Sequence, residues 1–512
     1  MTLKKTYNNW RARLLWSGHG WCNVVTLTLI LVVLLFVFIG LPVLSHYNWG
    51  HRHTQSSTPV LSEYDIQLKE LARNFSSVGQ PLNPKTSLVD PDSPSGLTWT
   101  SVDGKDWKLV FSDEFEKAGR TFGPGEDSNW EAVDLWYWPT RDMEWYDPHH
   151  ATTAGGNLVI TVDKNESHPS LPYTSSMLQS WNKRCFQGGY LEARVSLPSD
   201  GTNTGYWPAI WTLGNLGRAG YGATTDGLWP YTYTACDEGV LLNQTNSALS
   251  MQPGQRLNAC VCSGDHPSYG VGRGAPEIDI FEGSMTGGLL SASMSNQVAP
   301  FDYHYAIGRE DYTHFWNELE AGQTDAANMT RYNSYIGGTF QQSVSGLFYI
   351  DPAYSNGNKF MTYGFEYRPG PKGYIRWFVD QKPVWHLDAR AIGPNALSKV
   401  SQRIISEEPM YIIMNLGISG SFSYVNPNLK FPAQLTIDYI RLYQDPDNIR
   451  LSCDPPDHPT GEYIQNHPRA YYNANLTLWK QTGYSWPSFK LSNKCNPKVT
   501  SPFDADDYVP IS

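Results

Sequence analysis

Between Trp107 and Tyr443 the apolar positions fall into short runs broken by Gly, Pro, Asn and Asp, and helical spacing is scarce. Strand-sized runs lie at 107–115, 157–162, 189–197, 206–213, 277–282, 360–367, 374–379, 410–416 and 435–443. Many short strands punctuated by turn residues predict an all-β sandwich or barrel. Residues 214–273 and 299–358 carry no such pattern and read as long loops, which in a compact domain build cleft walls or partner surfaces.

The pattern changes towards both ends. Residues 24–44 are uncharged and mostly Leu, Val, Ile and Phe, enough to cross a bilayer as one helix. Lys4, Lys5, Arg11 and Arg13 precede them and the first acids beyond are Glu63 and Asp65, which predicts a cytoplasmic N-terminus and a lumenal or extracellular bulk. The stretch is longer than a signal-peptide core, so an uncleaved type II anchor is expected. The domain plan is a tail at 1–23, a transmembrane anchor at 24–44, a Pro-rich stem at 45–95 with a short helix near 62–73, the β domain at 96–445 and an extension at 446–512.

One run departs from ordinary strand chemistry: Glu277, Asp279 and Glu282 interrupt Ile278, Ile280 and Phe281. Alternation puts Glu277 and Asp279 on one face and Glu282 on the other. A β-bulge near Ile280 and Phe281 would return Glu282 to the face of its partners, and bulges recur beside active sites because they re-aim a side chain. Crowded carboxyls push their pKa values apart, so one keeps a proton near neutral pH. That is the equipment for glycosidic cleavage, with retention at a carboxyl separation of about 5 to 5.5 Å and inversion at a wider one. The competing reading is a solvated acidic face on an amphipathic strand.

Composition adds a substrate class. Aromatic residues make up 13% of the chain, including 19 Trp and 31 Tyr, more than a core of this size requires. Flat aromatic faces stack on sugar rings, and Trp207, Trp229, Trp136 and Trp181 are the candidate platforms, with core packing the alternative for each and the preferred reading for Trp211. A net charge of -11 and the lack of a basic stripe exclude a nucleic-acid partner. Asn74, Asn165, Asn243, Asn328 and Asn475 begin glycosylation acceptors, all beyond the anchor. Apart from Cys22, the cysteines form an even set suited to an oxidising compartment, and Cys453 with Cys495 and Cys236 with Cys260 or Cys262 are the expected disulfides.

The motif Gly-Ala-Pro-Glu277-x-Asp279-x-x-Glu282 resembles the catalytic strand of family 16 glycoside hydrolases. The blocks at 111–115, 189–194, 207–211 and 409–416 agree in order and spacing. The anchor, the insertion from Asn215 to Pro230 and the cysteine-bearing tail are similar to the fungal β-glucan-synthesis-associated membrane proteins within that group. The resemblance implies a concanavalin-like β-jelly-roll sandwich with long loop insertions. It also implies a retaining glycosidase or transglycosylase acting on β-glucan or oligosaccharide in β-1,6-glucan biosynthesis. Glu277 would be the nucleophile, Glu282 the general acid/base, and Asp279 the group that orients Glu277 and shares its proton. The expected setting is a secretory-pathway or plasma membrane alongside the cell-wall synthesis machinery, without a cofactor; a structural calcium ion suits the fold, but no ligand cluster compels one. The alternative is a catalytically silent glucan-binding scaffold for a separate synthase. One departure stands out: the next run, 291–298, lacks the His that hydrolytic relatives carry there.

Overall fold

The computed structural model describes residues 18–35, 88–164, 170–241, 252–286, 289–299, 309–320, 326–338, 340–396, 399–492 and 495. The chain divides into two units, Met1–Ile66 and Gln67–Ser512. In the first, helix Gly18–Leu35 covers the start of the predicted 24–44 span, whose remainder lies outside the described residues. Val25, Leu27 and the run 29–34 are exposed on it. Among the described residues no helix is long and apolar enough to cross a membrane. The predicted helix near 62–73 also lies outside them, as do Asn74, Asn165 and Asn243; Asn328 and Asn475 are exposed.

The second unit is a two-sheet β-sandwich. Among the described residues nine strands form one sheet: β1 (Glu131–Ala132), β2 (Met177–Gln179), β3 (Cys185–Phe186), β4 (Trp207–Gly214), β5 (Glu277–Thr286), β6 (Leu289–Val298), β7 (Thr330–Tyr332), β8 (Gln342–Ile350) and β9 (Met410–Gly417). Their spatial order is β7-β8-β6-β5-β4-β9-β2-β1, with β3 also paired to β9. The facing sheet is centred on strands Gly189–Ser196, Met361–Arg368, Tyr374–Val379 and Ala433–Gln444.

Alternation explains why the sheets close on each other. Ile278, Met294, Val344, Met410, Ile412 and Met414 point from the first sheet into a shared core, where they meet Leu191, Ala193, Phe365, Trp377, Leu435 and Ile437 of the second. Each buried aliphatic side chain of this kind contributes about 1.5–3 kcal/mol. The expected strands form within a few residues of the predicted bounds because successive side chains point to opposite faces, and one face of each central strand enters this core.

Two expectations need correction. Residues 299–358 are not one loop, since β7 and β8 lie within them. Ser343, Ser345 and Gly346 dilute the apolar signal of β8, while Val344, Phe348 and Ile350 carry its core face. The disulfides also differ: Cys236 pairs with Cys260, but Cys453 pairs with Cys185 and Cys495 with Cys262. The extension is therefore not clasped on itself; it is tied to the sandwich. Its Tyr463, Ile464, Tyr471 and Trp479 pack with Trp211, Leu213, Tyr411 and Ile413 on the face of the first sheet that points away from the central core. The fully buried Arg273 guanidinium makes two 2.8 Å bonds to Glu408 and donates to the Pro459 carbonyl at 2.8 Å, fastening the 214–273 insertion to the same tail.

Candidate active site

The three acids occupy one edge-to-edge segment of β5. Against β6 the register runs Glu277 to Gln297, Asp279 to Ser295, and then Glu282 to Ser293, with the shift between Asp279 and Glu282. Against β4 it shifts at the same place, between Ile210 and Trp211. The bulge therefore sits at Ile280 and Phe281. Ile278, Ile280 and Phe281 are all fully buried in the core, and the three carboxyls share the opposite face.

A bulge leaves ladder groups without strand partners. The Asp279 carbonyl is satisfied from the other sheet by Trp377, whose Nε1–H donates to it at 2.8 Å, and Trp377 is itself stacked on Trp385. Thr212 Oγ1 donates to the Ile278 carbonyl at 2.9 Å. The distortion that aims Glu282 is thus held by buried donors on both sides of β5.

Each carboxyl has its own donor. Trp229 Nε1 donates to Glu277 at 2.6 Å, and Trp207 Nε1 to Glu282 at 3.1 Å. Ser295 Oγ donates to Asp279 at 2.8 Å and also reaches Glu282 at 3.4 Å; Gln297 Nε2 donates to Asp279 at 3.2 Å. Asp279 is only 1% exposed, whereas Glu277, Glu282, Trp207, Trp229 and Ser293 are half-buried. The row is thus open at its two ends and sealed at its middle.

Burial raises the affinity of all three for protons. Glu277 is pushed well above the usual carboxylate range by burial, then by the charges of Asp279 and Glu282. Asp279 is pushed up to about 6 by burial, against bonds from Ser295, Gln297 and Glu277. Glu282 is pushed up to about 8 by burial and by Asp279, with Trp207 and Ser295 opposing. At neutral pH Glu282 holds a proton, and Glu277 and Asp279 share another, which belongs to the pair rather than to either residue. The arrangement can therefore supply an acid at one end of the row and, when the shared proton rests on Asp279, a carboxylate at the other.

The candidate aromatic platforms separate. Trp207 and Trp229 touch the row directly, and Trp207 is stacked on Phe422 at 4.2 Å. Trp136 is 42% exposed, with Nε1 donating to the Asp142 carbonyl at 2.7 Å. Trp181 is 5% exposed, stacked on Tyr471, covered by the Arg218 guanidinium and bonded to the Asn215 carbonyl, so it is a core residue and not a platform. Trp211 is buried as expected, with Nε1 on Asn415 at 2.8 Å. Unanticipated members of the site are Ser295, Gln297 and Tyr137, the last a half-buried phenol that feels both Glu277 and Asp142. Ser295 and Gln297 occupy the run that lacks the expected His; their alternation opposite the acids was the available signal. Among the described residues no group of three or more His, Cys, Asp or Glu is placed to hold a metal ion.

KRE6 of Saccharomyces cerevisiae, a beta-glucan synthesis-associated protein, is 42% identical over 94% of this chain and 64% of its own length. The chain spans about three fifths of the length of such curated relatives. A beta-glucanase of Rhodothermus marinus is 25% identical over 66% of this chain and 85% of that protein. Among solved structures, the catalytic domain of an endo-1,3-beta-glucanase from Thermotoga petrophila aligns over 67% of this chain and 99% of that one, at 20% identity and a TM-score of 0.40. The family described as beta-glucan synthesis-associated protein SKN1/KRE6/Sbg1 matches residues 2–495, and the chain belongs to that family.

Proposed function

We propose that this protein is a membrane-tethered, retaining glycosidase or transglycosylase that acts on β-glucan during assembly of wall β-1,6-glucan. The observation that carries the reading is the convergence of Glu277, Asp279 and Glu282 on one face, with a protonated carboxyl at the Glu282 end. Glu277 attacks the anomeric carbon while the Glu282 proton passes to the departing glycosidic oxygen, leaving a glycosyl ester on Glu277. Glu282, now a base, takes the proton of the acceptor hydroxyl, whose oxygen displaces the ester and regenerates the Glu277 carboxylate. Asp279 holds the proton that Glu277 must shed before attack. Water as acceptor gives hydrolysis; a glucan hydroxyl gives transfer. Trp207 and Trp229 present apolar faces to the sugar while their N–H groups orient the two glutamates. The exposed apolar run 29–34 on the N-terminal helix supports the anchor, and the beta-glucan synthesis named for the family supports the pathway.

The test is to incubate the purified full chain with β-linked gluco-oligosaccharides and follow the anomeric configuration of the first product by NMR. Retention, and its loss in Glu277→Gln and Glu282→Gln, is expected. Inversion would reject Glu277 as nucleophile. An inert wild type, together with full restoration of wall β-1,6-glucan by both variants in cells, would replace the enzyme by the scaffold reading.

A further inference from the structure

The donors already described come from Trp207 on β4, from Trp229 in the insertion that follows it, and from Ser295 and Gln297 on β6. On the other flank, beyond β6, residues 333–338, which follow β7, are braced against residues 341–343 at the start of β8. Asn333 is the foot of this segment: its backbone N–H donates to the Ser345 carbonyl at 3.0 Å, and its Nδ2 donates to Ser293 Oγ at 3.3 Å. Ser293 is the residue directly opposite Glu282 on β6, so the foot stands beside the acid/base end of the row. Asn333 Oδ1 accepts the Tyr335 N–H at 3.1 Å, the Ser343 N–H reaches the Ile336 carbonyl at 2.9 Å, and Gly337 bridges to Gln342. Gly337 has φ +105, and a Cβ there would lie 2.2 Å from the Gln341 carbonyl, so this tight return needs glycine.

This segment presents Tyr335. The residue is 53% exposed, yet its hydroxyl is fixed by Gln341 Nε2 at 3.2 Å. Its phenol is held above the ordinary tyrosine range by burial first, and then by the charges of Glu282 and Glu277, the Glu282 effect being the larger. An exposed aromatic side chain braced at both backbone and hydroxyl, and within electrostatic reach of the two half-buried glutamates, has no core to serve. We propose that Tyr335 is the stacking platform for the sugar on the leaving-group and acceptor side of the row, across from Trp207 and Trp229. The side follows from the register, because the sugar that receives or surrenders a proton lies against Glu282. Its ring face covers the C–H surface of a glucosyl unit, as aromatic rings do on apolar sugar faces. This assignment of a side rests on the proposed roles of Glu277 and Glu282, while the binding itself does not.

Calorimetric titration of the full chain with a linear β-linked gluco-oligosaccharide, in wild type, Tyr335→Ala and Tyr335→Phe, tests it. Loss of the platform is expected to weaken binding by about tenfold in Tyr335→Ala, while Tyr335→Phe stays within about twofold, because the ring and not the hydroxyl makes the contact. Equal affinity of Tyr335→Ala and wild type overturns the proposal, as does a wild type that binds no such oligosaccharide. A second readout assigns the side. With a β-glucoside donor bearing an aryl leaving group, Tyr335→Ala is expected to raise the acceptor-sugar concentration needed for half-maximal transfer about tenfold. A fall in hydrolysis with no change in acceptor dependence overturns the acceptor-side placement. Binding without turnover in wild type counts against the enzymatic reading alone and leaves the platform standing.

Discussion

Two clusters of carboxyls lie against the first sheet, and their differences say more than either alone. The first is the row on β5. The second is Asp142 with Glu144, at 3% and 0% exposure. Both sets are pushed upward by burial: Asp142 to about 6, and Glu144 well above the usual range, with Asp142 adding to its shift. In both a proton is shared between neighbours. The second pair, however, is bonded only to structure. Asp142 accepts from Thr140 Oγ1 at 2.5 Å and Tyr146 OH at 3.1 Å, and Glu144 accepts from the Ile418 N–H at 2.9 Å. Asn415 continues the chain, donating to Tyr146 OH at 3.1 Å and accepting from Trp211. A perturbed carboxyl is therefore not a site by itself. The row differs in having half-buried ends, each with an indole donor, and in sitting on a bulge.

The strongest challenge to that contrast is substitution at both clusters. Glu277→Gln and Glu282→Gln are each expected to lower oligosaccharide turnover by about 10² to 10⁴-fold, whereas Glu144→Gln, which keeps the shape of a carboxyl whose burial favours its neutral form, is expected to stay within about threefold. Initial rates at saturating oligosaccharide decide it, and an equal loss in Glu144→Gln would bring the sealed pair into the machinery.

The bulge is the next point of difference. Trp377→Phe removes the donor to the Asp279 carbonyl and is expected to cost about 1–3 kcal/mol in chemical unfolding, together with about a tenfold loss of turnover as Glu282 loses its aim. Trp385→Phe trims the stacked neighbour without touching that bond and is expected to retain turnover.

A smaller effect separates the indoles. Trp207 donates to Glu282 and so favours its charged form; Trp207→Phe is expected to move the alkaline limb of the rate–pH profile upward from about 8. Trp181→Phe, in the core, is expected to lower stability and leave that limb in place.

The smallest concerns stability alone. Glu282 keeps its proton in the folded chain up to about 8, while an unfolded glutamate releases it above about 4.3. The folded state therefore binds more protons through that window, and its stability falls as pH rises across it. Glutamine does not titrate. The melting temperature of Glu282→Gln relative to wild type is expected to be unchanged at pH 4 and to climb towards pH 8; a difference independent of pH would remove the buried-carboxyl account.

Much of this was legible in the order of residues, because it is local. Alternation around Ile278 and Ile280, and the odd spacing from Glu277 to Glu282, require a bulge if apolar side chains are to stay out of water. The same period-two logic locates the central strands of both sheets, and it weakens at β8 because serine and glycine replace apolar residues there. Pairings across hundreds of residues have no local signature. Cys185 and Cys453 are separated by 268 positions, and nothing near either names the other. Trp181 and Trp207 look alike as indoles in aromatic company; only the packing of Tyr471 and Arg218 over the first makes it core. Trp377 reads as an ordinary strand residue until the facing sheet brings its N–H to the bulge. The chain thus determined by itself which acids share a face and which residues prefer burial, for these follow from neighbours along a strand. Which donors hold each carboxyl, which indoles stay half-exposed and where Tyr335 stands were decided by the closure of two sheets, the insertion and the tail, since those contacts exist only once distant segments are packed together.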